Sequence, residues 1–367
     1  SERPWAGWGP AVSVARTLRA YAGLGVRILA TRFGSTRPFK ITLALTDRCD
    51  CRCAGCFIWK KPKGREVTPE EVEHLLTDVP SLRWVNLTGG EPFLRDDLPA
   101  VGAAVLRALP DLAVLDLPST GQRVERIVND VRALAALGVP RLYLTLSLEG
   151  PEALHDQLRG RDGAFARMVE TFARLRGEPG VRVVLGLTLS AANADRVGEA
   201  LADVRARLPA SAGPVGWRDV HLNVFTTSDH YYANAESDLR PPAELDETLG
   251  RALRARDRSV DPPDRIEGAY LRLLPEHLRT GRSPLPCRSL AANVYVAANG
   301  DVYPCTVWNR PLGNALETPL SAILASPEAE AARTLIRRDR CPGCWSPCEA
   351  NPTIVAAAPA SLWRRPR

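Results

Sequence analysis

Between residues 40 and 225, short apolar runs alternate six times with stretches of helical periodicity. The runs that predict strands are Lys40–Leu45, Trp84–Gly89, 112–118, Arg141–Leu148, 181–190 and Trp217–Phe225. We interpret these strands as apolar on both faces, which predicts a parallel sheet covered by helices. Six such repeats favour an open or closed β/α barrel over a sandwich of two sheets.

The segments between these strands carry helix signals. Thr68, Pro69 and Glu71 form a predicted capping box, with proline at the first helical position. The other predicted helices are 97–109, 123–137, 164–176, 193–208, 242–256, 266–278 and 319–338. An Asn299-Gly300 pair predicts a β-hairpin turn, and we place a domain boundary near residue 230.

The nine cysteines form two groups, with none between positions 57 and 286. The first group is Cys49, Cys51, Cys53 and Cys56, and the second is Cys287, Cys305, Cys341, Cys344 and Cys348. The chain has no run of about 18 apolar residues and no zones typical of a secretory signal, which predicts a cytoplasmic protein. In that compartment, clustered cysteines are metal ligands or catalysts more often than disulfides.

Cys49, Cys53 and Cys56 have the spacing C-x3-C-x2-C, directly after the first predicted strand. A [4Fe–4S] cluster takes four thiolates, so three on one loop leave one iron open. The loop lies at the carboxyl ends of the strands, where β/α barrels carry out their chemistry. The alternatives are a zinc site or reactive thiols, and we interpret Cys51 as a free thiol.

This spacing resembles the cluster loop of the radical S-adenosylmethionine (SAM) superfamily, in which the open iron binds the amino and carboxylate groups of SAM. The stretch "NLTGGEPFLR" is similar to the family's GGE motif. The resemblance implies that Gly89 and Gly90 let the backbone approach the methionine group of SAM. It implies that Glu91 accepts a hydrogen bond from the amino group of SAM.

"SLEGPEALHDQLRG" resembles the segment SLDGP…H…R of the subfamily with C-terminal cluster domains. The resemblance implies that Ser147 contacts the ribose of SAM and that Arg159 binds its carboxylate, a role suited to a bidentate guanidinium. Ser190 and Asn193 are weaker candidates for the ribose, and they are equally candidates for capping the next helix.

Two positions depart from the family pattern. Gly55 stands where the family often has an aromatic residue near the adenine, and we expect Phe57 or Trp59 to substitute for it. Glu149 stands where the SLDG-type segment has an aspartate, which is a mild change.

The stretch from Cys287 to Cys305 resembles the C-x(9–15)-G-x4-C hairpin of the SPASM and Twitch auxiliary-cluster domains. Five cysteines are too few for two clusters, so the resemblance implies one auxiliary [4Fe–4S] cluster. We expect Cys287 and Cys305 to bind it with two or three of Cys341, Cys344 and Cys348. The alternative is a zinc knuckle. Thr306 replaces the general-base aspartate of the sulfatase-maturing relatives, which argues against that activity.

The resemblance therefore implies a partial (β/α)6 TIM-like barrel of the α/β class with a small C-terminal α+β cluster-binding domain. The implied domains are an N-terminal segment (1–38), the barrel (39–230), a helical linker (231–286) and the auxiliary-cluster domain (287–367). The implied activity is reductive cleavage of SAM to a 5′-deoxyadenosyl radical that abstracts hydrogen from a substrate, with flavodoxin or ferredoxin as electron donor. The auxiliary cluster would accept an electron or anchor the substrate.

Three hypotheses remain for the function. The first is a small-molecule substrate such as a natural-product, sugar or lipid-linked intermediate. The second is maturation of a ribosomally made peptide. This hypothesis is weakened because the roughly forty residues before the first strand are too few for a peptide-recognition domain of ordinary size. The third is a non-catalytic iron–sulfur or zinc protein for interaction or sensing. Residues Asp229–Tyr232 are candidates for substrate contact in the enzymatic cases.

The N-terminal segment is basic, with seven Lys or Arg residues and no acid between Arg3 and Thr46. Its apolar stripe is predicted to comprise Val14, Leu18, Tyr21, Val26 and Leu29. We favour a helix packed on the barrel. The alternative is a contact with an anionic membrane surface or substrate, which would make the protein membrane-peripheral. We expect no nucleic-acid binding, because no aromatic-interleaved basic motif is present.

Overall fold

The computed structural model describes residues 13–357. Its strands are β1 (Lys40–Ala44), β2 (Trp84–Thr88), β3 (Val114–Ser119), β4 (Leu142–Leu148), β5 (Val181–Leu189), β6 (Val220–Val224), β7 (Asn293–Val296), β8 (Asp301–Tyr303) and β9 (Gly313–Asn314). Its helices are α1 (Val14–Arg32), α2 (Pro69–Thr77), α3 (Leu98–Ala108), α4 (Val124–Ala136), α5 (Glu152–Arg159), α6 (Ala164–Leu175), α7 (Val197–Arg207), α8 (Asp246–Arg254), α9 (Pro262–Thr280), α10 (Leu320–Ala325), α11 (Pro327–Arg337) and α12 (Pro347–Ala357).

The strands of the described residues form one nine-stranded sheet in the order β6-β5-β4-β3-β2-β1-β7-β8-β9. β1 to β6 are parallel, and each pairs with the next along the chain. β7 pairs in parallel with the other side of β1, so that Lys40 lies opposite Asn293. The C-terminal hairpin therefore continues the sheet of the barrel. Our division of the chain after residues 38, 230 and 286 stays a prediction.

The two faces of the sheet differ in polarity. On β4 the leucines at 142, 144, 146 and 148 are buried, whereas Tyr143, Thr145 and Ser147 line a chamber of about 810 Å³. The prediction that the strands are apolar on both faces is therefore wrong. Because the sheet curves into a partial barrel, its inner face encloses the chamber and is polar, while its outer face packs under helices.

Helices α9 and α12 close the open side of the partial barrel. On α9, Glu267 accepts hydrogen bonds from the backbone N–H of Leu222 (2.9 Å) and from His221 on the edge strand β6. On α12, the carbonyl of Cys348 accepts a 2.9 Å hydrogen bond from Lys40 of β1. The two helices also contact each other, so the chamber is walled on every side around the barrel axis.

Helix α1 covers the amino end of the barrel. Ala20 is buried against Val114, and Leu24 and Ile28 pack with Trp84. The helix therefore packs on the barrel as expected, but not through the predicted apolar stripe. Of the stripe, Tyr21 faces the chamber, whereas the other four residues are exposed. Within residues 13–357, none of the helices has both the length and the apolar character needed to cross a bilayer.

Three local features refine the predicted elements. The capping box is confirmed, since the Thr68 and Glu71 side chains each bond the other's backbone. The single helix predicted over 319–338 is wrong: Ser326 is extended and caps α11, where Pro327 occupies the first turn. The sequence reasoning missed α5 and α12, and the internal Pro352 hides the helical signal of α12.

Candidate active site

The loop after β1 brings three thiols to the chamber. Cys49, Cys53 and Cys56 all line it, whereas Cys51 does not and is 1% exposed. The three cysteines of the C-x3-C-x2-C spacing thus face the chamber, and Cys51 does not. Their role as cluster ligands stays a prediction.

Backbone hydrogen bonds hold the cysteine loop on both sides. The N–H groups of Arg52 and Ala54 donate to the carbonyls at the end of α5, at 2.9 and 2.8 Å. The N–H of Phe57 donates to the carbonyl of Tyr232 at 2.8 Å. The positions of the thiols are therefore set by α5 and by the segment after β6, both distant in sequence.

Gly89 and Gly90 pack their backbone directly against this loop. Gly89 has φ = 138°, and a Cβ at that position would lie 2.2 Å from the carbonyl oxygen of Thr46. A Cβ at Gly90 would lie 2.2 Å from the carbonyl oxygen of Arg48 and 3.0 Å from the Cβ of Cys49. Both glycines also line the chamber, and the lack of a side chain at each allows the cysteine loop to pack against their backbone.

Glu91 does not line the chamber. Its carboxylate accepts hydrogen bonds from the N–H of Phe93, the hydroxyl of Ser119 and the N–H of Thr120. Burial raises the pKa of Glu91 to about 7. In this arrangement Glu91 fixes the Gly-Gly turn to the end of β3. Its expected hydrogen bond with the amino group of SAM stays a prediction.

Arg159, at the end of α5, joins the cysteine loop to β4. One of its guanidinium nitrogens is 3.1 Å from Glu149, and another donates to the Sγ of Cys53 at 3.4 Å. The pKa of Cys53 is lowered to about 5, mainly by a hydrogen bond from Cys51 and further by the charge of Arg159. Burial of the thiol acts in the opposite direction and raises this pKa. Cys53 is therefore favoured as a thiolate. Burial raises the pKa of Glu149 to about 7 against the effect of Arg159.

The other two thiols of the loop behave differently. Burial raises the pKa of Cys49 and of Cys56 to about 12. Both therefore favour the protonated form in the free chain, and a metal centre would have to displace those protons.

The predicted ribose contacts divide into two groups. Ser147 and Ser190 line the chamber at the ends of β4 and β5. Asn193 is fully buried and donates to the carbonyls of Glu149 and Thr188, at 2.9 and 3.0 Å. Asn193 therefore ties the ends of these two strands together and does not face the chamber.

The space beside Gly55 is filled from a distant part of the chain. A Cβ at Gly55 would lie 3.1 Å from the ring of Phe225 and 3.4 Å from the side chain of Leu239, and both residues line the chamber. Phe57 and Trp59 do not line it. The sequence reasoning missed Phe225 and Leu239 because the irregular segment after β6 has no periodic pattern.

The second cysteine group is also divided. Cys287, Cys305, Cys341 and Cys344 do not line the chamber, whereas Cys348 does. Burial raises the pKa of Cys287 to about 11, and Cys341 adds to the rise. Burial likewise raises the pKa of Cys344, with smaller effects from Glu349, Cys305 and Cys287. Cys287, Cys305 and Cys344 are thus close enough to influence one another, and Cys341 is close enough to act on Cys287.

The segment after β6 connects the two cysteine groups. Asn234 donates to the carbonyl of Gly55 at 2.7 Å, next to Cys56. His230 donates from Nε2 to the carbonyl of Cys305 at 3.0 Å. Between them, the rings of Tyr231 and Tyr295 lie 5.3 Å apart. The stretch "DHYYAN" (residues 229–234) therefore contacts both cysteine groups. Tyr231 and Tyr232 of this stretch also line the chamber.

Two family models match the chain. The radical SAM superfamily model matches residues 43–197, and the SPASM model, described as an iron-sulfur cluster-binding domain, matches residues 287–348. The chain belongs to the radical SAM superfamily. Radical SAM domains bind a [4Fe–4S] cluster and SAM, and SPASM domains bind auxiliary iron–sulfur clusters. Iron–sulfur chemistry therefore replaces the zinc alternatives for both cysteine groups.

Two curated relatives align with most of this radical SAM enzyme. The sporulation killing factor maturation protein SkfB of Bacillus subtilis is 26% identical over 298 residues, covering 78% of this chain and 64% of SkfB. The pre-heme d1 synthase of Dinoroseobacter shibae is 25% identical over 351 residues, covering 88% of this chain and 83% of the synthase.

Two solved structures share the fold. Streptococcus suis SuiB bound to S-adenosylmethionine has a TM-score of 0.60 and 15% identity, covering 88% of this chain and 77% of SuiB. The enzyme anSMEcpe, bound to AdoMet and a peptide, has a TM-score of 0.55 and 13% identity, covering 81% of this chain and 84% of that chain. These likenesses confirm the α/β radical SAM fold with its parallel sheet.

The residues present fit the groups that the family binds. Three thiols face one chamber on a loop that packs against the backbone of Gly89 and Gly90, and thiolates are the usual ligands of iron–sulfur clusters. Four further thiols gather in the region that the SPASM model matches. Within residues 13–357, no three Cys, His, Asp or Glu side chains are arranged as a single-ion site.

Proposed function

We propose that Cys49, Cys53 and Cys56 bind the [4Fe–4S] cluster that cleaves SAM. The observation that carries this proposal is that these three thiols, and not Cys51, line the chamber between the Gly-Gly turn and Arg159. When bound, the cluster supplies the electron that splits SAM into methionine and a 5′-deoxyadenosyl radical, which abstracts hydrogen from the substrate.

The chain's own residues position SAM for this reaction. Arg159 offers a guanidinium fork to the SAM carboxylate. Because Glu149 already pairs with Arg159, the two carboxylates would share this guanidinium. Ser147 and Ser190 offer hydroxyl groups to the ribose. Phe225 supplies an apolar surface for the adenine, beside the place where the family often has an aromatic residue. The walls formed by α9 and α12 would shield the radical from water on the side of the barrel that the sheet leaves open.

For the auxiliary [4Fe–4S] cluster we propose the ligands Cys287, Cys305, Cys341 and Cys344. The support is that these four thiols are near one another and none faces the chamber. Cys348 is then left as a free thiol in the chamber wall, with its carbonyl bonded to Lys40. Residues 229–234 link the two cysteine groups, and an external one-electron donor such as flavodoxin or ferredoxin would supply the reducing equivalents.

The substrate that we propose is a peptide. Support comes from SkfB, whose name describes it as a maturation protein of the sporulation killing factor. The match spans less than two thirds of SkfB, so the remaining part of SkfB lends no support to the proposal.

A small anionic molecule is the second candidate substrate, because a buried lysine lines the chamber. Lys40 is 3% exposed, lines the chamber and forms no ion pair within 4.0 Å among the described residues. Its charge opposes the effect of burial on the pKa of Asp116 and of Glu349. A cation in the chamber wall suits a ligand carboxylate. The pre-heme d1 synthase, which is named for a small-molecule product, matches over more of its length than SkfB does.

Deuterium transfer distinguishes the two substrates. Cells of the host are grown in deuterated medium, and their extract is separated by size into peptides and small molecules. Each fraction, freed of its own deuterated SAM, is incubated with the reconstituted, reduced enzyme and unlabelled SAM, and the mass of 5′-deoxyadenosine is measured. Labelled 5′-deoxyadenosine with the peptide fraction alone supports the peptide proposal, and labelling with the small-molecule fraction alone supports the second candidate. The Cys49, Cys53 and Cys56 to Ala triple variant is the control.

A further inference from the structure

Helix α1 carries most of the exposed large apolar side chains in the part of the chain that the structure describes. Six such side chains are exposed, and five of them belong to α1 or to its C-cap residue. These five, with exposures from 54% to 81%, are Val14, Leu18, Val26, Leu29 and Phe33. We call them the α1 stripe. A soluble monomer rarely gathers its exposed apolar side chains on one element without a partner for them.

The α1 stripe lies opposite the face of α1 that packs on the barrel. With about 3.6 residues per turn, its five residues span an arc of about 120°. The buried residues Thr17, Ala20 and Thr31 lie on the other side of the helix. A surface helix normally presents polar residues opposite its packed face. α1 instead presents an apolar stripe, so packing on the barrel does not explain it.

The charges around the α1 stripe are basic. Residues 13–38 contain five Arg residues and no Asp or Glu. Arg19 within α1 and Arg37 after it are exposed, and the acid nearest to Arg19 is Asp111 on another element, at 3.9 Å. An apolar stripe with basic flanks matches the interface of an anionic bilayer, which offers acyl chains and negative headgroups together.

We propose that the α1 stripe docks this enzyme on an anionic membrane surface. A protein partner would also need acidic groups to match these arginines, whereas an anionic bilayer offers both properties over any area. The helix lies in the plane of the interface and does not cross the bilayer. This proposal rests on the surface of α1 alone, and it is independent of the cluster and SAM assignments.

Docking in this way also orients the chamber. Tyr21, Leu24 and Ile28 project from the inner side of α1 and line the amino end of the chamber. The α1 stripe therefore places that end of the chamber toward the membrane. The cysteine loop at the other end of the strands faces away from it.

Vesicle sedimentation tests the proposal with the reconstituted enzyme. We expect wild type to sediment with vesicles of phosphatidylcholine and phosphatidylglycerol, and at least tenfold less with phosphatidylcholine alone. A Leu18→Gln, Leu29→Gln, Phe33→Gln variant should lose at least tenfold in partitioning to the anionic vesicles. Val260→Gln is the matched control, because Val260 is 80% exposed but lies outside α1. Circular dichroism and iron content should be unchanged in both variants.

Three results would overturn the proposal. The first is that wild type does not bind anionic vesicles, and the second is that the triple variant binds them as well as wild type does. The third is that wild type is a dimer and the triple variant is a monomer with unchanged vesicle binding, because the stripe would then join two copies of the chain. SAM cleavage by wild type is measured in parallel, so failure of the cluster assignment is recognised separately.

Discussion

The guanidinium of Arg159 lies 3.4 Å from the sulfur of Cys53 and also pairs with Glu149 at 3.1 Å. Arg159 is 7% exposed, so a single buried cation is shared between the cysteine loop and the end of β4. Its backbone carbonyl also receives the N–H of Arg52. The residue expected to bind SAM therefore also holds the loop that is expected to bind the cluster.

Replacing Arg159 with lysine should separate charge from geometry. Lysine keeps the positive charge but loses the planar fork that binds a carboxylate. Since charge-assisted hydrogen bonds contribute about 1.5–3 kcal/mol, SAM should bind about 10- to 100-fold more weakly to Arg159→Lys. Equilibrium dialysis of SAM against the reconstituted enzyme measures this. Arg174→Lys, which alters an exposed pair with Glu125, is the control. An unchanged affinity in Arg159→Lys would contradict the assignment.

Adding one methyl group at Gly90 should disturb the cysteine loop. The new Cβ would lie 2.2 Å from the carbonyl oxygen of Arg48, which is backbone and cannot swing away. Such overpacking costs about 1–3 kcal/mol or more, so Gly90→Ala should lower the urea midpoint and the iron content. At Gly64 a Cβ meets nothing within 4 Å, so Gly64→Ala should behave as wild type. Equal midpoints for both variants would show that the loop adapts freely.

The two cysteines Cys344 and Cys348 should differ in their effect on iron. If Cys348 is a chamber thiol, Cys348→Ala keeps about eight irons per chain, as expected for two [4Fe–4S] clusters. Cys344→Ala should lower the iron content toward about four, because it removes a ligand of the auxiliary cluster. Iron analysis and electron paramagnetic resonance of the reduced proteins check this. Loss of the auxiliary signal in Cys348→Ala, with a normal signal in Cys344→Ala, would reverse the assignment.

His155 should make stability depend on pH. Burial lowers the pKa of His155 to about 3, and its Nδ1 accepts a hydrogen bond from the N–H of Glu149 at 3.1 Å. In the unfolded chain its pKa is about 6.5, so between these values the unfolded state binds a proton that the folded state does not. The free energy of unfolding therefore decreases as the pH falls below about 6.5, by up to about 1.4 kcal/mol per pH unit from this group.

Urea unfolding at several pH values between neutral and mildly acidic measures this slope. His155→Gln cannot take up that proton, so its free energy of unfolding should depend less steeply on pH than that of wild type. Identical slopes in the two proteins would show that His155 is not the group responsible.

Much of this site follows from local sequence. The cysteine spacing, the Gly89-Gly90 pair and the Thr68–Glu71 capping box act over a few residues, so a short stretch of sequence contains the whole signal. The approximate positions of the six parallel strands are predictable for the same reason. Each strand is a short apolar run bounded by the start of a helix.

Other features depend on contacts between distant residues. Lys40 and Cys348 are 308 residues apart, and their hydrogen bond helps to fix Cys348 in the chamber wall. No spacing rule distinguishes Cys348 from Cys344, because only the packing of α12 against β1 decides which thiol faces inward. Phe225 reaches the side of Gly55 for a similar reason. The sequence did not reveal the polar inner face of the sheet. The apolar residues of the outer face are enough to mark each run as a buried strand, so the polar residues between them were not recognised as a separate face.

The most direct test of the account is SAM cleavage by the loop cysteines. Wild type, the Cys49, Cys53 and Cys56 to Ala triple variant, and Cys51→Ala are reconstituted anaerobically with iron and sulfide. Iron per chain and 5′-deoxyadenosine are then measured after reduction with SAM. We predict about eight irons and 5′-deoxyadenosine for wild type and Cys51→Ala, and about four irons with no 5′-deoxyadenosine for the triple variant. Cleavage of SAM by the triple variant, or none by fully loaded and reduced wild type, would contradict the account.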